Sequence, residues 1–293
     1  MYGECHAHII MDGKNYRDAV SLHRNGVQDS VIHEHFRLYQ KENITFVRDG
    51  GDALGVSARA KELSSLYGID YRTPVFAIHK NGYYGGIVGH GFDTIEEYAD
   101  LVSQVSRAHG DFIKIMASGI LDFDEFGKVS TPLQDAKLIR EMVSIAHGEG
   151  FAVMVHVNTA PQIRMALEAG CDSIEHGYYM DEDCRELFVE TGAVWVPTLA
   201  TCSNLRGCGR FCEEAVDHIT RCHMENIRLA LEKGVSIAAG SDAGAYMVPH
   251  AAGLLDEIRL LKEACQNDPG LIEALETNLE KSQEIIEKKF RRD

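Results

Sequence analysis

Residues 151–177 read FAVMVHVNTAPQIRMALEAGCDSIEHG, and this stretch decides the fold. Residues 152–157 form a short apolar run of strand length, and 160–168 carry apolar side chains at helical spacing. Gly170 ends the helix, and 173–176 open a second strand. Two strands joined through a helix lie parallel, so the stretch is one βα unit followed by the start of the next. Each of its strands ends in a histidine, His156 and His176.

The same alternation extends in both directions. Strands are expected at 3–9, 44–48, 72–78, 112–117, 152–157, 173–176, 194–199 and 235–240. Helices are expected at 16–41, 53–66, 94–109, 133–149, 160–168, 181–191, 213–233 and 252–264. Gly68, Gly110, Gly150, Gly170, Gly192 and Gly234 each follow a helix and precede a strand. Eight strands, each followed by a helix, predict an α/β fold of the (β/α)8 TIM-barrel type, one domain over residues 1–293. An open doubly wound sheet is the alternative, but it offers no reason for stopping at eight. A ninth helical pattern at 271–292 is expected to extend the chain and pack on the outside of the barrel.

Composition narrows the function. With 29 Lys+Arg against 45 Asp+Glu, the formal net charge of the 293 residues is −16. That balance excludes nucleic acid and an anionic membrane surface as partners, since both need clustered basic side chains. No apolar run approaches the ~20 residues of a membrane span, and the first residues do not read as a signal peptide. A soluble, cytoplasmic protein with a small-molecule substrate is expected. The eight cysteines, without framework spacing, read as reduced thiols.

Barrel active sites form where the strands end, so the residues there matter most. The first strand ends in His6-Ala7-His8, the fourth carries Lys114, the fifth and sixth end at His156 and His176, and the eighth leads to Asp242 in Gly-Ser-Asp-Ala-Gly. His-x-His arises by chance in a chain with 14 histidines, and His33-Glu34-His35 provides an internal control. On a strand that spacing puts both rings on one face; on a helix it turns them apart. His6 and His8 can therefore share an ion, whereas His33 and His35 are expected to face solvent. Four histidines and an aspartate at one barrel end suit zinc or a similar divalent ion. Lys114 is costly to bury as a cation. It is neutral, or paired with a carboxylate, or converted by carbon dioxide into an anionic carbamate.

These motifs resemble the amidohydrolase superfamily, in its imidazolonepropionase-like, Xaa-Arg dipeptidase and prolidase-like branch. The resemblance runs through His6-Ala-His8, Thr45-Phe-Val-Arg-Asp-Gly-Gly51, Gly89-His-Gly91, Phe112-Ile-Lys-Ile-Met-Ala-Ser-Gly119, residues 166–177, Val196-Pro-Thr198 and Gly240-Ser-Asp-Ala-Gly244. It implies two divalent metal ions, most simply zinc, with Lys114 carboxylated between them. His6, His8 and Asp242 would hold one ion, and His156 and His176 the other. The implied activity is hydrolysis of an amide C–N bond in a dipeptide or N-acyl amino acid by a metal-bridging hydroxide, with Asp242 as the catalytic proton shuttle. A lactonase, cyclic-amide hydrolase or deaminase on the same site is the alternative, as is a metal-binding protein without turnover.

The resemblance implies a small β-sandwich that is not found in these residues; truncation at the start, a variant without that domain, and oligomerisation covering the exposed barrel edge are the alternatives, and a homo-oligomer is expected. Substrate contacts are expected from His90, Asn158, Tyr178, Tyr179, Thr198, Tyr246 and His250 in the loops beyond the strands. Arg206 and Arg210 are candidates for a substrate carboxylate. Cys202, Cys208, Cys212, Cys222 and His223 form an irregular group, read mainly as ordinary thiols and secondarily as a metal site.

Overall fold

The computed structural model describes residues 2–131 and 133–292. Among the described residues there are nine parallel strands: β1 (Glu4–Ala7), β2 (Phe46–Asp49), β3 (Asp70–Arg72), β4 (Ala77–Lys80), β5 (Gly89–Phe92), β6 (Ile113–Met116), β7 (Val153–Thr159), β8 (Ser173–Tyr179) and β9 (Val194–Val196). They pair as β1-β2-β3 and β5-β4-β6-β7-β8-β9.

The expected third strand is broken. Pro74 has no N–H to give to a ladder, and Val75 lies in the left-handed region with φ 67°. The segment before the break, β3, pairs with β2, and the segment after it, β4, pairs with β6. Asp111 N–H donates to Thr73 O (2.8 Å) across the gap.

The expected eighth strand, 235–240, is reduced to single ladder contacts. Ala238 N–H donates to Trp195 O (2.9 Å) on one side, and Cys5 N–H donates to Ala239 O (3.0 Å) on the other. This segment therefore sits between β9 and β1 and completes the (β/α)8 barrel. β5 was not expected, because Gly89-His90-Gly91 has poor strand propensity. It lies beside β4 in register Ala77↔Gly89.

The helix expected over 16–41 is two helices, Tyr16–Leu22 and Asp29–Lys41, separated by a turn through Gly26 at φ 122°. No helix among the described residues is long and apolar enough to cross a membrane.

The last helix, Pro269–Lys289, does not lie along the outside of the barrel. It closes the end at which the strands begin. Its Gln283 accepts from Gly3 N–H (2.6 Å), and its Asn278 accepts from Ile237 N–H (2.7 Å). Fully buried Phe290 follows it and packs on the Arg48 guanidinium at 4.5 Å.

Arg48 itself has no exposure. It donates to Cys5 O (2.7 Å), Ser173 Oγ (2.9 Å) and Glu175 Oε1 (2.8 Å), so the cation joins three strands from within. Removing one partner of such a buried pair strands the other charge. Arg48→Met is expected to cost about 3–5 kcal/mol in denaturant unfolding. A loss below 1 kcal/mol would show that Glu175 is neutral in the folded state.

Candidate metal centre

The C-terminal ends of the strands bring His6, His8 and Asp242 together. His6 Nε2 lies 3.5 Å from Asp242 Oδ1, and His8 Nε2 lies 3.6 Å from the same oxygen. Among the described residues this is the one group of three or more His, Cys, Asp or Glu side chains spaced to hold an ion. Donor atoms ~2.0–2.1 Å from a tetrahedral ion lie roughly 3.4 Å apart, so the observed separations fit two corners of such a site. His6 Nδ1–H donates to Glu175 Oε2 (2.8 Å), which leaves the Nε2 lone pair free to bind an ion. His8 Nδ1 is buried without a partner.

Lys114 Nζ sits 3.1 Å from His6 Nε2 and 3.3 Å from His8 Nε2. Gly50 makes room for this arrangement, since a Cβ there would collide with both the His8 ring and the Lys114 amine. Glycine in the Arg48-Asp49-Gly50-Gly51 run is thus a requirement of the site.

His156 and His176 stand beside this group, their rings 4.5 Å apart, with the His176 ring 5.0 Å from that of His6. His156 Nε2–H donates to Gly119 O (3.1 Å), leaving Nδ1 free. His176 Nδ1–H donates to Thr198 Oγ1 (2.7 Å), leaving Nε2 free. His176, Thr198 and Asp242 all adopt positive φ (71°, 52° and 60°), so the backbone is strained where the donors emerge.

Burial dominates the electrostatics. It holds the His6, His8 and His176 imidazoles well below their ordinary range and brings His156 to about 3, with Lys114 opposing protonation at each. All four rings are therefore neutral, as metal ligation requires. Burial also lowers the Lys114 ammonium to about 8 and raises the Asp242 carboxyl to about 6. Because Thr198 fixes the His176 tautomer, Thr198→Val is expected to weaken metal affinity about 10- to 100-fold in a chelator competition. Unchanged affinity would remove the hydroxyl from this role.

A cavity of about 270 Å³ opens over these residues, with His8, Lys114, His156, His176 and Asp242 in its wall. Of the substrate candidates, Asn158, Tyr178 and Tyr246 line it. The other four do not. His90 is exposed and packs edge-on against Phe76, because β5 turns it away from the mouth. Tyr179 OH accepts from Gly127 N–H (2.9 Å), and Thr198 holds His176. His250 accepts from Tyr39 OH (2.9 Å) and donates to Met11 O (2.8 Å). Sequence reading missed Tyr84, Leu121, Leu205 and Phe211, apolar or aromatic side chains on the loops beyond the strands that also line the cavity.

The control pair needs correction. His35 is buried, not solvent-facing; its Nδ1–H donates to Ile9 O (3.1 Å) and its ring packs against that of His250, tilted by 33° with centroids 3.9 Å apart. His33 is half-buried and bonded to Tyr67 OH (2.8 Å). The two rings do diverge. The loop cysteines form no ion-binding group among the described residues: Cys202 is a free thiol hydrogen-bonded to Thr220, and His223 donates to Pro197 O (2.9 Å). Arg206 is paired with Asp217 (2.8 Å), whereas Arg210 lies over the Phe211 and Tyr246 rings at 5.1 and 4.6 Å.

The family model for the amidohydrolase family matches residues 5–284, and the chain belongs to that family. Ochratoxinase of Aspergillus niger is 30% identical over 192 residues, which is 62% of this chain and 38% of that protein. The chain thus spans well under half the length of this curated relative. Among solved structures, a Xaa-Pro dipeptidase with methionine in its active site superposes with a TM-score of 0.75 at 22% identity, covering 98% of this chain and 75% of that one. A prolidase complexed with N-methylphosphonate-L-proline gives a TM-score of 0.75 at 24% identity, covering 98% and 74%. These structural likenesses establish the shared fold.

Proposed function

We propose that this protein hydrolyses an amide bond in a small molecule, using two divalent ions, most simply zinc, that His6, His8, Asp242, His156 and His176 would hold together with a carboxylated Lys114. The observation that carries the reading is the convergence of neutral imidazole nitrogens and one carboxylate oxygen, at ion-binding separations, in the wall of a cavity. Family membership supports it, as does the kinship with ochratoxinase.

Bound there, such ions would lower the pKa of water and polarise a scissile carbonyl. The chain's own groups supply the rest. Asp242 faces the histidine nitrogens with Oδ1 and retains a second oxygen to accept the proton of the attacking water and return it to the leaving nitrogen. Lys114, lowered to about 8 by burial, keeps a fraction of neutral amine that can attack carbon dioxide. The Nζ–C bond forms as one C–O π pair of carbon dioxide moves onto oxygen, one N–H proton passes to solvent, and the product is a carbamate anion beside the neutral imidazoles. In this reading the protein works as a cytoplasmic homo-oligomer.

Metal analysis combined with a substrate panel tests the proposal. Protein purified without chelator should hold close to two ions per chain and cleave members of a set of dipeptides and N-acyl amino acids. Near-zero metal after supplying zinc or manganese would overturn the site. Turnover of lactones alone would overturn the amide reading.

A further inference from the structure

His223 lies on the helix Glu213–Lys233 and has no exposure. It belongs neither to the cavity wall nor to the ion-spaced group. Its ring stacks on that of Tyr178, with centroids 3.9 Å apart and planes 18° apart, and the Trp195 ring stands across it at 5.5 Å and 85°. Its Nε2–H donates to Pro197 O (2.9 Å), which leaves the lone pair on Nδ1, buried without a partner. A phenyl ring would fill the same slot without an orphaned nitrogen. Packing alone therefore does not call for an imidazole here; the bond to Pro197 O does.

That carbonyl belongs to the planar peptide joining Pro197 to Thr198, so pinning its oxygen fixes the plane on the N-terminal side of Thr198. The plane on the other side is pinned as well, because Tyr178 OH donates to Thr198 O (2.9 Å). Between the two planes Thr198 sits at φ 52°, a left-handed conformation that is costly for a β-branched residue. Its Oγ1 accepts from His176 Nδ1–H (2.7 Å), and relaxation of Thr198 toward ordinary φ would carry that hydroxyl off the imidazole. The same aromatic cluster also grips the backbone of His176, since Trp195 Nε1–H donates to His176 O (2.9 Å).

Resting on the metal-site reading above, we infer that His223 is a positioning residue for one of the two ions. It pins the peptide before Thr198 directly and braces the Tyr178 ring that pins the peptide after it. Through these two holds it keeps the Thr198 hydroxyl on His176 Nδ1, and so keeps His176 Nε2 as the free nitrogen in a single orientation. His6, His8 and Asp242 make no use of this brace, so its loss falls on the ion that His156 and His176 would hold.

The test compares His223→Phe, which keeps a ring and removes the donor, with His223→Gln, which keeps an N–H of similar reach and removes the ring. Zinc-loaded protein is titrated with a competing chelator, and metal-free protein is unfolded in urea. His223→Phe should hold one of its two ions about tenfold more weakly than the parent and the other unchanged, at the low end for outer partners because it acts through Thr198. His223→Gln should recover most of that affinity. The stability order should run the other way, since the glutamine variant loses the aromatic packing against Tyr178 and Trp195. Opposed orders distinguish positioning from a merely structural role, in which metal retention follows stability. If the glutamine variant does not fold, the tenfold loss in His223→Phe at parent-like stability decides the matter alone. Parent-like zinc retention in His223→Phe, equal weakening of both ions, or zinc loss in the order of stability would overturn the inference and leave the metal site standing. Parent protein that takes up no zinc would overturn the site itself, and this inference with it.

Discussion

Asp242→Asn should lower kcat by ~10²–10⁴-fold while the protein keeps most of its metal. The separation follows from the geometry. Asp242 Oδ1 is one donor beside His6 and His8, and an amide oxygen can take its place weakly while the imidazoles hold. An amide cannot accept a proton at neutral pH, so the shuttle is lost. In the parent protein the same group gives the acidic limb of kcat/KM. Burial raises the Asp242 carboxyl to about 6 with the Lys114 cation opposing the rise, and a bound ion would favour the carboxylate further, so the limb should lie below pH 6 as a macroscopic value that Asp242 shares with the attacking water. Activity should fall as pH drops through it, because the base becomes protonated. A kcat within a few-fold of the parent would leave Asp242 as a ligand only.

A larger effect on metal content is expected from His6→Ala/His8→Ala, which removes two of the three donors in the ion-spaced group. Bound metal should fall to a small fraction of the parent, and turnover with it. His33→Ala/His35→Ala shares the spacing and should keep its metal. Its cost lies elsewhere: Ile9 O loses the donor on His35, and the His250 ring packed against it loses its neighbour. About 1–3 kcal/mol of stability is expected to go, measurable by denaturant titration. Equal loss of metal from both double variants would contradict the assignment of the ion-binding group.

The clustering of His6, His8, His156, His176 and Asp242 was legible because strand-end positions follow from period and turn signals that are local. His156 and His176 close the runs at 152–157 and 173–176, and β7 and β8 extend only a little beyond them. Some missed features had a local signal. Pro74 marks the break in the third strand, and Ile32, His35, Phe36 and Tyr39 form one helical face that is buried, which places His35 inward. Others had none. The docking of 269–289 under the barrel depends on Gln283 and Asn278 meeting backbone far away in sequence. The cavity walls are built by loops whose tertiary course sets which side chains meet, so Tyr84 and Phe211 could not be told from ordinary surface aromatics.

Phe290, Arg48, Glu175 and His6 form a continuous chain of contacts from the closed end of the barrel to the ion-binding group. Each link constrains the next: the ring holds the guanidinium, the guanidinium holds the carboxylate, and the carboxylate sets the proton on His6. During synthesis every proposed ligand emerges before Phe290 does. The nascent chain therefore exposes all the proposed donors while the brace behind His6 is still unmade, so on the proposed reading firm retention of metal would be a late event in the maturation of the protein.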